Sequence, residues 1–488
     1  MPERVVELAK SQVLSQLAAA RATLGHSFGR KIVTAFGLPT QADPARAAFV
    51  LAALTVALDF DDTVYAGHVS HSTVGVPLAY AGPLELDGRG LLASVIAANE
   101  CAARVTAAAT LGRFRGQTAA HAHLAGAVAG RLRAEGASAD RFVDAWGLAF
   151  GMPPWTLMPA FLGSDAKVLT AAVPVRMALD ACDAAAAGLH GRDDILERDG
   201  GLVSTFAQVP LPEALTAGLG PADAAGPAEQ SGVRWHTETL SFKAYPACAY
   251  LGAALDCAVG LHEDLAEAGG GDVGAGASLV EEVVVHASLF TLGMDMQSAP
   301  FVEGPGSPVS ALEFSAGYPV AAALLTGALQ PGDLDSAAAS EPRRWELARR
   351  VRVEHDPELT RAAALATAPI GEALRLAGPR AADWLALLGE GGGLAEELGR
   401  PADSFENASK AIGARVEVVL SDGRRLVRSS ATPAGSAGAS SGESHQALVR
   451  SKFLASGGSE QVAGEVARLD ELDAPDVAGL LAAALKGA

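Results

Sequence analysis

Basic charge is scarce in this 488-residue chain, and lysine is scarcer still. Lysine and arginine total 37 against 56 acidic residues, a formal net charge of −19. A chain this acidic offers no basic face for nucleic acid or an anionic membrane. Only seven of the basic residues are lysines (10, 31, 167, 243, 410, 452 and 486), so the few that stand in apolar sequence, Lys167 and Lys243, draw attention. Aromatic residues make up 5% while apolar residues make up 49%, and long Ala-rich runs of this kind favour packed helices over sheets. The four cysteines (Cys101, Cys182, Cys248, Cys257) form no C-x-x-C pair, which argues against a disulfide framework or a zinc site and for small core residues. No apolar run reaches the length of a membrane span, and Met1 to Ala20 carries Glu, Arg and Lys where a signal peptide has an unbroken apolar region. The chain therefore reads as soluble and cytoplasmic. P-loop, G-x-S-x-G and H-E-x-x-H motifs are missing, and Gly389-Glu-Gly-Gly-Gly lacks a preceding strand and the dinucleotide register.

What is present divides into two patterns. A chain of this length is too long for one ordinary core. Apolar periodicity near 3.6 predicts helices over Val5–Ala20, Pro44–Asp59, Gly90–Leu111, Ala119–Ala134, Asp140–Gly151 and Lys167–Gly188, giving one helical domain over 1–240. Around Ser241 the period changes. Leu240–Tyr245 alternates as a strand, Pro246 opens a helix to Leu261, and Gly269–Gly276 reads as a mobile linker. Strands are expected over Val280–Phe290 and Ala348–Glu354, a helix over Ser307–Leu329, and a hairpin over Ala414–Leu420 and Arg424–Ser429 with Asp422-Gly423 in its turn. Residues 241–433 thus form an α+β domain, 434–443 a flexible linker, and 444–488 a helical tail that packs back on the first domain. The fold class is mainly α: a large all-helical domain built from both chain ends plus a smaller α+β domain.

The chemistry concentrates in Asp59-Phe-Asp61-Asp62-Thr63, followed by His68 and His71, directly after the apolar run Ala47–Leu58. Polar groups at the end of a buried helix are costly unless they are hydrogen-bonded or used. Further polar islands stand at Gly116–His123, where His121 and His123 lie two apart and face different directions on a helix, so at most one joins a common site. Lys167 follows a Gly-Ser-Asp turn at a helix N-terminus, a place the helix dipole makes unfavourable for a purely structural cation. Phe242-Lys243-Ala-Tyr245-Pro246 carries a second lysine where the chain enters the second domain.

Taken in order, Asp59-Phe-Asp-Asp-Thr with His71, His121 ahead of Gly126 and Gly130, Lys167 nine residues before Arg176, Phe242-Lys243-Ala-Tyr-Pro, and a Val-x-Val-x-x-Ser-Asp-Gly hairpin ahead of Lys452-Phe453 resemble the MmgE/PrpD family. Its members include 2-methylcitrate dehydratase, cis-aconitate decarboxylase and an iminodisuccinate epimerase. The resemblance implies a homodimer whose α+β domain is a lid, and cofactor-free, metal-free chemistry on a carboxylated small molecule in the cleft between domains. Carried over by position, it makes His71 and His121 the acid/base histidines and Lys167 and Lys243 the carboxylate-binding lysines, with Asp59 and Thr63 beside them. Tyr245 and His68 join the substrate-binding set, and His68 is able to take the place of His71. Dehydration, decarboxylation and epimerisation of such acids all develop charge on carbon beside a carboxylate, so a fixed cation and a proton carrier suit any of them. Three departures stand out: His71-Ser72 for the family's His-Pro, Phe301 where decarboxylase members have tyrosine, and Glu313-Phe314-Ser315 where Arg-His-Ser is common. They point to a substrate with fewer carboxylates than a tricarboxylic acid, or with a different group. Two other readings compete: a metal-dependent hydrolase using Asp59, Asp61, Asp62, His68 and His71, and a non-catalytic member that binds a ligand.

Overall fold

A computed structural model of the protein describes residues 1–112, 119–219, 233–386, 393–438 and 442–488. Positions 116–118 of the first polar island, 389–392 of the glycine run and 439–441 of the expected linker lie outside them. The structure is mainly α, with 62% helix against 8% strand.

Helices form where the apolar period places them. The helix Pro44–Ala57 starts on Asp43, whose side chain accepts from the Ala45 amide at 3.0 Å, and Pro44 fits the first turn, where no amide donor is needed. Every residue from Ala47 to Ala57 is buried. The helix Gly88–Ala109 is long and apolar enough to cross a membrane by length and composition, yet 78% of its apolar window is buried inside the protein, as in a core helix. It packs with Ala119–Ala134, and Glu3–Gly25 packs with Pro44–Ala57 and the C-terminal helix Gly442–Ala455. One hydrophobic core joins Val5 through Phe242 to Val449–Leu485 and also takes in Ala364 to Leu398.

A second core lies around a four-stranded sheet in the order Val351–His355, Val280–Ala287, Ala414–Leu420, Arg425–Ser430. The first pair is parallel and the others are antiparallel, with Val283 opposite Val351 and Val418, and Ala414 opposite Ser430. The hairpin turns at Asp422-Gly423, where Gly423 has φ 87°, a conformation that favours glycine.

Several expected elements differ, each for a local reason. The helix expected from Pro246 begins at Gly252, because the Cys248 amide is spent on the Glu313 carbonyl at 2.9 Å and Ala247 turns back to Tyr245. The single helix expected over Ser307–Leu329 is two, Val309–Phe314 and Gly317–Thr326, since Pro319 in an unbroken helix would press on the Ser315 carbonyl. The strand at Leu240–Tyr245 contracts to Ser241–Phe242. Within the glycine stretch 269–276, Asp272 caps a short helix, Val273–Ser278, and a Cβ on Gly276 would lie 1.9 Å from the Leu265 carbonyl oxygen. Those glycines permit a close corner. Residues 434–438 are bonded in place as well: the Gly435 carbonyl accepts from Phe242 at 2.8 Å, and Ala437 donates to Ser241 at 3.0 Å.

Candidate active site

Asp62–Thr63 pairs antiparallel with Ser241–Phe242, which ties the loop after Pro44–Ala57 to the segment that leads into the second core. The loop that makes this possible leaves its helix through Asp59, which holds φ 50° in the left-handed region. Few residues other than glycine adopt that conformation, and Asp is among those that do. Extended backbone then sends successive side chains to opposite sides. Asp61 and Thr63 face one way, and Asp62 faces the other.

On its side, Asp62 accepts from Gln16 at 2.9 Å and from Ser70, while Gln12 bridges Ser70 and Asn99. Burial, then the neighbouring Asp61 charge, pushes the Asp62 carboxyl upward. This network ties the loop to the helices Glu3–Gly25 and Gly88–Ala109.

The other side holds a buried chain of alternating charge. Glu313 pairs with Lys167, Lys167 with Asp59 at 3.0 Å, Asp59 with Lys243, and Lys243 with Asp61 at 2.8 Å. Asp61 Oδ2 continues the chain, accepting from His68 Nδ1–H at 2.7 Å and lying 3.2 Å from His71 Nε2. The Asp59 backbone carbonyl also accepts from Lys243, at 2.9 Å. Lys167 comes from a short turn, Asp165–Val168, and its ammonium lies over the rings of Phe314 (5.1 Å) and Phe161 (5.8 Å).

Electrostatics sorts the carboxyls. Burial opposes charge on Asp61, but His68 and Lys243 hold it well below the ordinary carboxylate range. Burial likewise works against Asp59, and Lys167 and Lys243 outweigh it. For Glu313, burial wins over Lys167 and Asp59 adds repulsion, so its carboxyl is pushed up to about 8. Lys167 keeps its proton despite burial because Asp59, then Glu313, raise it, and Asp59 and Asp61 do the same for Lys243.

A cavity of about 220 Å³ opens beside this chain, lined by His68, Thr63, Lys410, Tyr250, Met294 and Phe314 among others. His68 reaches it because Val64 and Gly67 exchange both backbone hydrogen bonds in a tight turn that folds the chain back over Asp61. With Nδ1 spent on Asp61, the Nε2 of His68 is the nitrogen left for chemistry.

The structure brings Asp59, Thr63, His68, His71, Lys167 and Lys243 into this one region. His71 is fully enclosed, with Nδ1 at 2.9 Å from the Thr55 hydroxyl and Nε2 toward Asp61. His121 stands apart: its Nε2 bonds the Pro154 carbonyl at 2.9 Å and its ring packs on Phe206 and Trp155, while burial lowers it to about 4. His123 is the histidine of that helix nearer the site, its ring 5.4 Å from His71. Gly126 permits that approach, since a Cβ there would lie 2.7 Å from Ser72 Oγ and Thr73 Cγ2. The Tyr245 phenol donates to Asp256 at 2.9 Å and lines a smaller recess shared with Lys243 and Lys410. Phe301 lies against Gly163, on the short helix ahead of Lys167.

Two buried lysines escaped the sequence reading as site residues. Lys410 donates to Thr63 Oγ1 at 2.7 Å, and burial, then Lys243, lowers it to about 8. Lys452 donates to Ser15 Oγ at 3.3 Å and to the Phe60 carbonyl at 3.2 Å, and burial lowers it to about 8 as well. The scarcity of lysine that drew attention to Lys167 and Lys243 applies equally to these two, and five of the seven lysines are buried.

No curated protein matches the chain. Residues 9–214 match the MmgE/PrpD N-terminal domain and residues 245–377 the MmgE/PrpD C-terminal domain. With both domains matched in order, the chain belongs to the MmgE/PrpD family.

Proposed function

We propose that the protein is a lyase or isomerase that moves a proton at carbon beside a carboxylate of a small molecule, by dehydration, decarboxylation or epimerisation. Membership of a family that includes dehydratases and related enzymes supports a dehydratase-like enzyme. The observation that carries the finer reading is the His68–Asp61 pair at the edge of the 220 Å³ cavity. Asp61 accepts from Nδ1–H and so fixes the tautomer whose Nε2 is free to take a proton, the carboxylate–imidazole arrangement of many general bases. Lys243, paired with Asp59 and Asp61, keeps Asp61 ionised as the acceptor for His68, and Lys167 holds Asp59 from the far side. His71 supports Asp61 from within the protein. No step in this scheme calls on a cofactor. The α+β part acts as a lid on the helical part, in a cytoplasmic homodimer.

The test is incubation with candidate hydroxy and unsaturated acids, read by mass spectrometry for loss of water or carbon dioxide and for deuterium uptake at carbon. His68→Asn is expected to lower the rate by about 10²–10⁴-fold with folding intact. A variant that turns over at the wild-type rate would overturn the role of His68.

A second reading has one observation in its favour. Ligand atoms of Asp61, His68 and His71 lie within 4.8 Å of one another, close enough to hold a divalent cation for hydrolysis. Against it stands the Lys243 ammonium at 2.8 Å from Asp61, a like charge beside any bound cation. Elemental analysis and zinc titration of the purified protein separate the two.

A further inference from the structure

The buried cations of the site fall into two kinds. Lys167 lies within ion-pair distance of Asp59, and Lys243 of Asp59 and Asp61, so two ionised carboxylates meet these two charges inside the protein before any ligand arrives. Lys410 is different. It is 3% exposed, it lines the 220 Å³ cavity, and its one hydrogen-bond partner among the described residues is the neutral Thr63 hydroxyl. An ammonium has three donors. Burying one with a single neutral partner is costly unless an anion completes it.

Among the described residues the rest of the cavity wall is mostly apolar or aromatic: Tyr250, Met294, Phe314 and Pro369 face the same space, and the Thr106 hydroxyl there is spent on the Ala102 carbonyl at 2.9 Å. Its volume falls below the roughly 300–1,000 Å³ of pockets that take drug-sized ligands, which suits a small metabolite. A ligand with one carboxylate satisfies Lys410 and puts its remainder on the apolar wall. Each further carboxylate would be desolvated there, close to Asp61 and with no second lysine among the described residues that line the cavity.

We propose that Lys410, with Thr63, anchors the substrate carboxylate, and that the substrate is a small monocarboxylate with an apolar body. This names the substrate class for the function proposed above and rests on that reading. The carbon next to the anchored carboxylate then lies between Lys410 and His68, the two ionisable nitrogen groups among the described residues that line the cavity. Lys167 and Lys243 keep Asp59 and Asp61 ionised and do not grip the ligand.

The test is calorimetric binding to the full-length protein with hexanoate and phenylacetate as probes, against hexanamide, adipate and citrate at equal ionic strength. Hexanoate and phenylacetate are expected to bind at least about tenfold more tightly than the neutral amide, the dicarboxylate and the tricarboxylate. Lys410→Met, which keeps the apolar stem, is expected to erase the preference for hexanoate over hexanamide, and Lys410→Gln serves if the first variant does not fold. Tighter binding of adipate or citrate overturns the proposal, as does no binding of either monocarboxylate, or an unchanged preference in the Lys410 variants. The wild-type ranking alone decides the substrate class if neither variant folds. Turnover of a polycarboxylate through His68 would keep the proposed function and sink this inference. Lys410-dependent binding of hexanoate without turnover of any acid would do the reverse.

Discussion

Replacing Glu313 with glutamine tests the charge assignment of the whole buried chain, because two opposite signs are possible. Glu313 is fully buried, pairs with Lys167 through one oxygen, and leaves Oε1 without a partner. If it were an obligatory anion, Glu313→Gln would remove one member of a buried ion pair and destabilise by about 3–5 kcal/mol. With its carboxyl pushed from 4.5 up to about 8, Glu313 instead holds its proton at pH 7, and glutamine copies the neutral acid with an amide oxygen toward Lys167. Between those two values the unfolded chain has released a proton that the folded chain keeps. Wild-type stability therefore falls as pH rises through that window, by about 1.4 kcal/mol per unit from this group. At pH 7 the accumulated cost is roughly 3 kcal/mol, and the variant does not carry it. Urea unfolding at pH 5, 6, 7 and 8 should show Glu313→Gln gaining on the wild type by that slope and exceeding it at neutral pH. A loss of stability that stays constant from pH 5 to 8 would refute the assignment and make Glu313 an anion.

Lys452 offers the opposite slope. Its folded value of about 8 lies below the ordinary 10.5, so the unfolded chain binds the extra proton between them. Stability of the wild type relative to Lys452→Met should then rise by about 3 kcal/mol as pH goes from 8 to 10.5, measured by the same unfolding series. Gly126→Ala places a methyl 2.7 Å from Ser72 and Thr73 and is expected to cost about 1–3 kcal/mol and to push His123 away from His71, which chemical shifts of the ring protons will register. Light scattering is expected to give twice the chain mass of 49.4 kDa, with Met152 (76% exposed) and Leu157 (60% exposed) among the apolar residues a partner would cover. A mass of one chain at micromolar concentration counts against the dimer.

Much of the architecture is legible in the sequence because it is local. The helix Ala119–Ala134 has the bounds its apolar period predicts, and the hairpin turns at its Asp-Gly. Other features depend on contacts distant in sequence. Nothing near Ala364 distinguishes its short helices from those of the second core, yet they join the first. Asp61 and Asp62 are chemically identical neighbours, and only the pairing of Asp62 with Phe242 decides which one meets Lys243. Lys167 and Lys243 read as cations waiting for a substrate carboxylate, because sequence does not reveal that Asp59 and Asp61 already pair with them. Glu313 reads as the loss of a basic residue, whereas in space it accepts a hydrogen bond from Lys167 while burial pushes its own carboxyl up to about 8. Periodicity separates the directions of His121 and His123 without saying which one points inward. That choice is made by Pro154, Phe206 and Trp155, which capture His121.

The two-residue pairing of Asp62–Thr63 with Ser241–Phe242 also bears on the order of events during folding. Asp59, Asp61 and Lys167 precede it in the chain, whereas Lys243 and Glu313 arrive with the segment that builds the sheet. With the second core undocked, the first core, which the C-terminal helices complete, holds the Asp59 and Asp61 carboxylates against the Lys167 ammonium, and water must remain there to solvate them. Docking of the second core is expected to expel that water and bring Lys243 between Asp59 and Asp61, which makes the ionic chain a test of correct assembly. A misdocked second core leaves charges unmatched at several kcal/mol each and reopens. The charge pattern of the candidate site and correct completion of the fold then depend on the same few side chains.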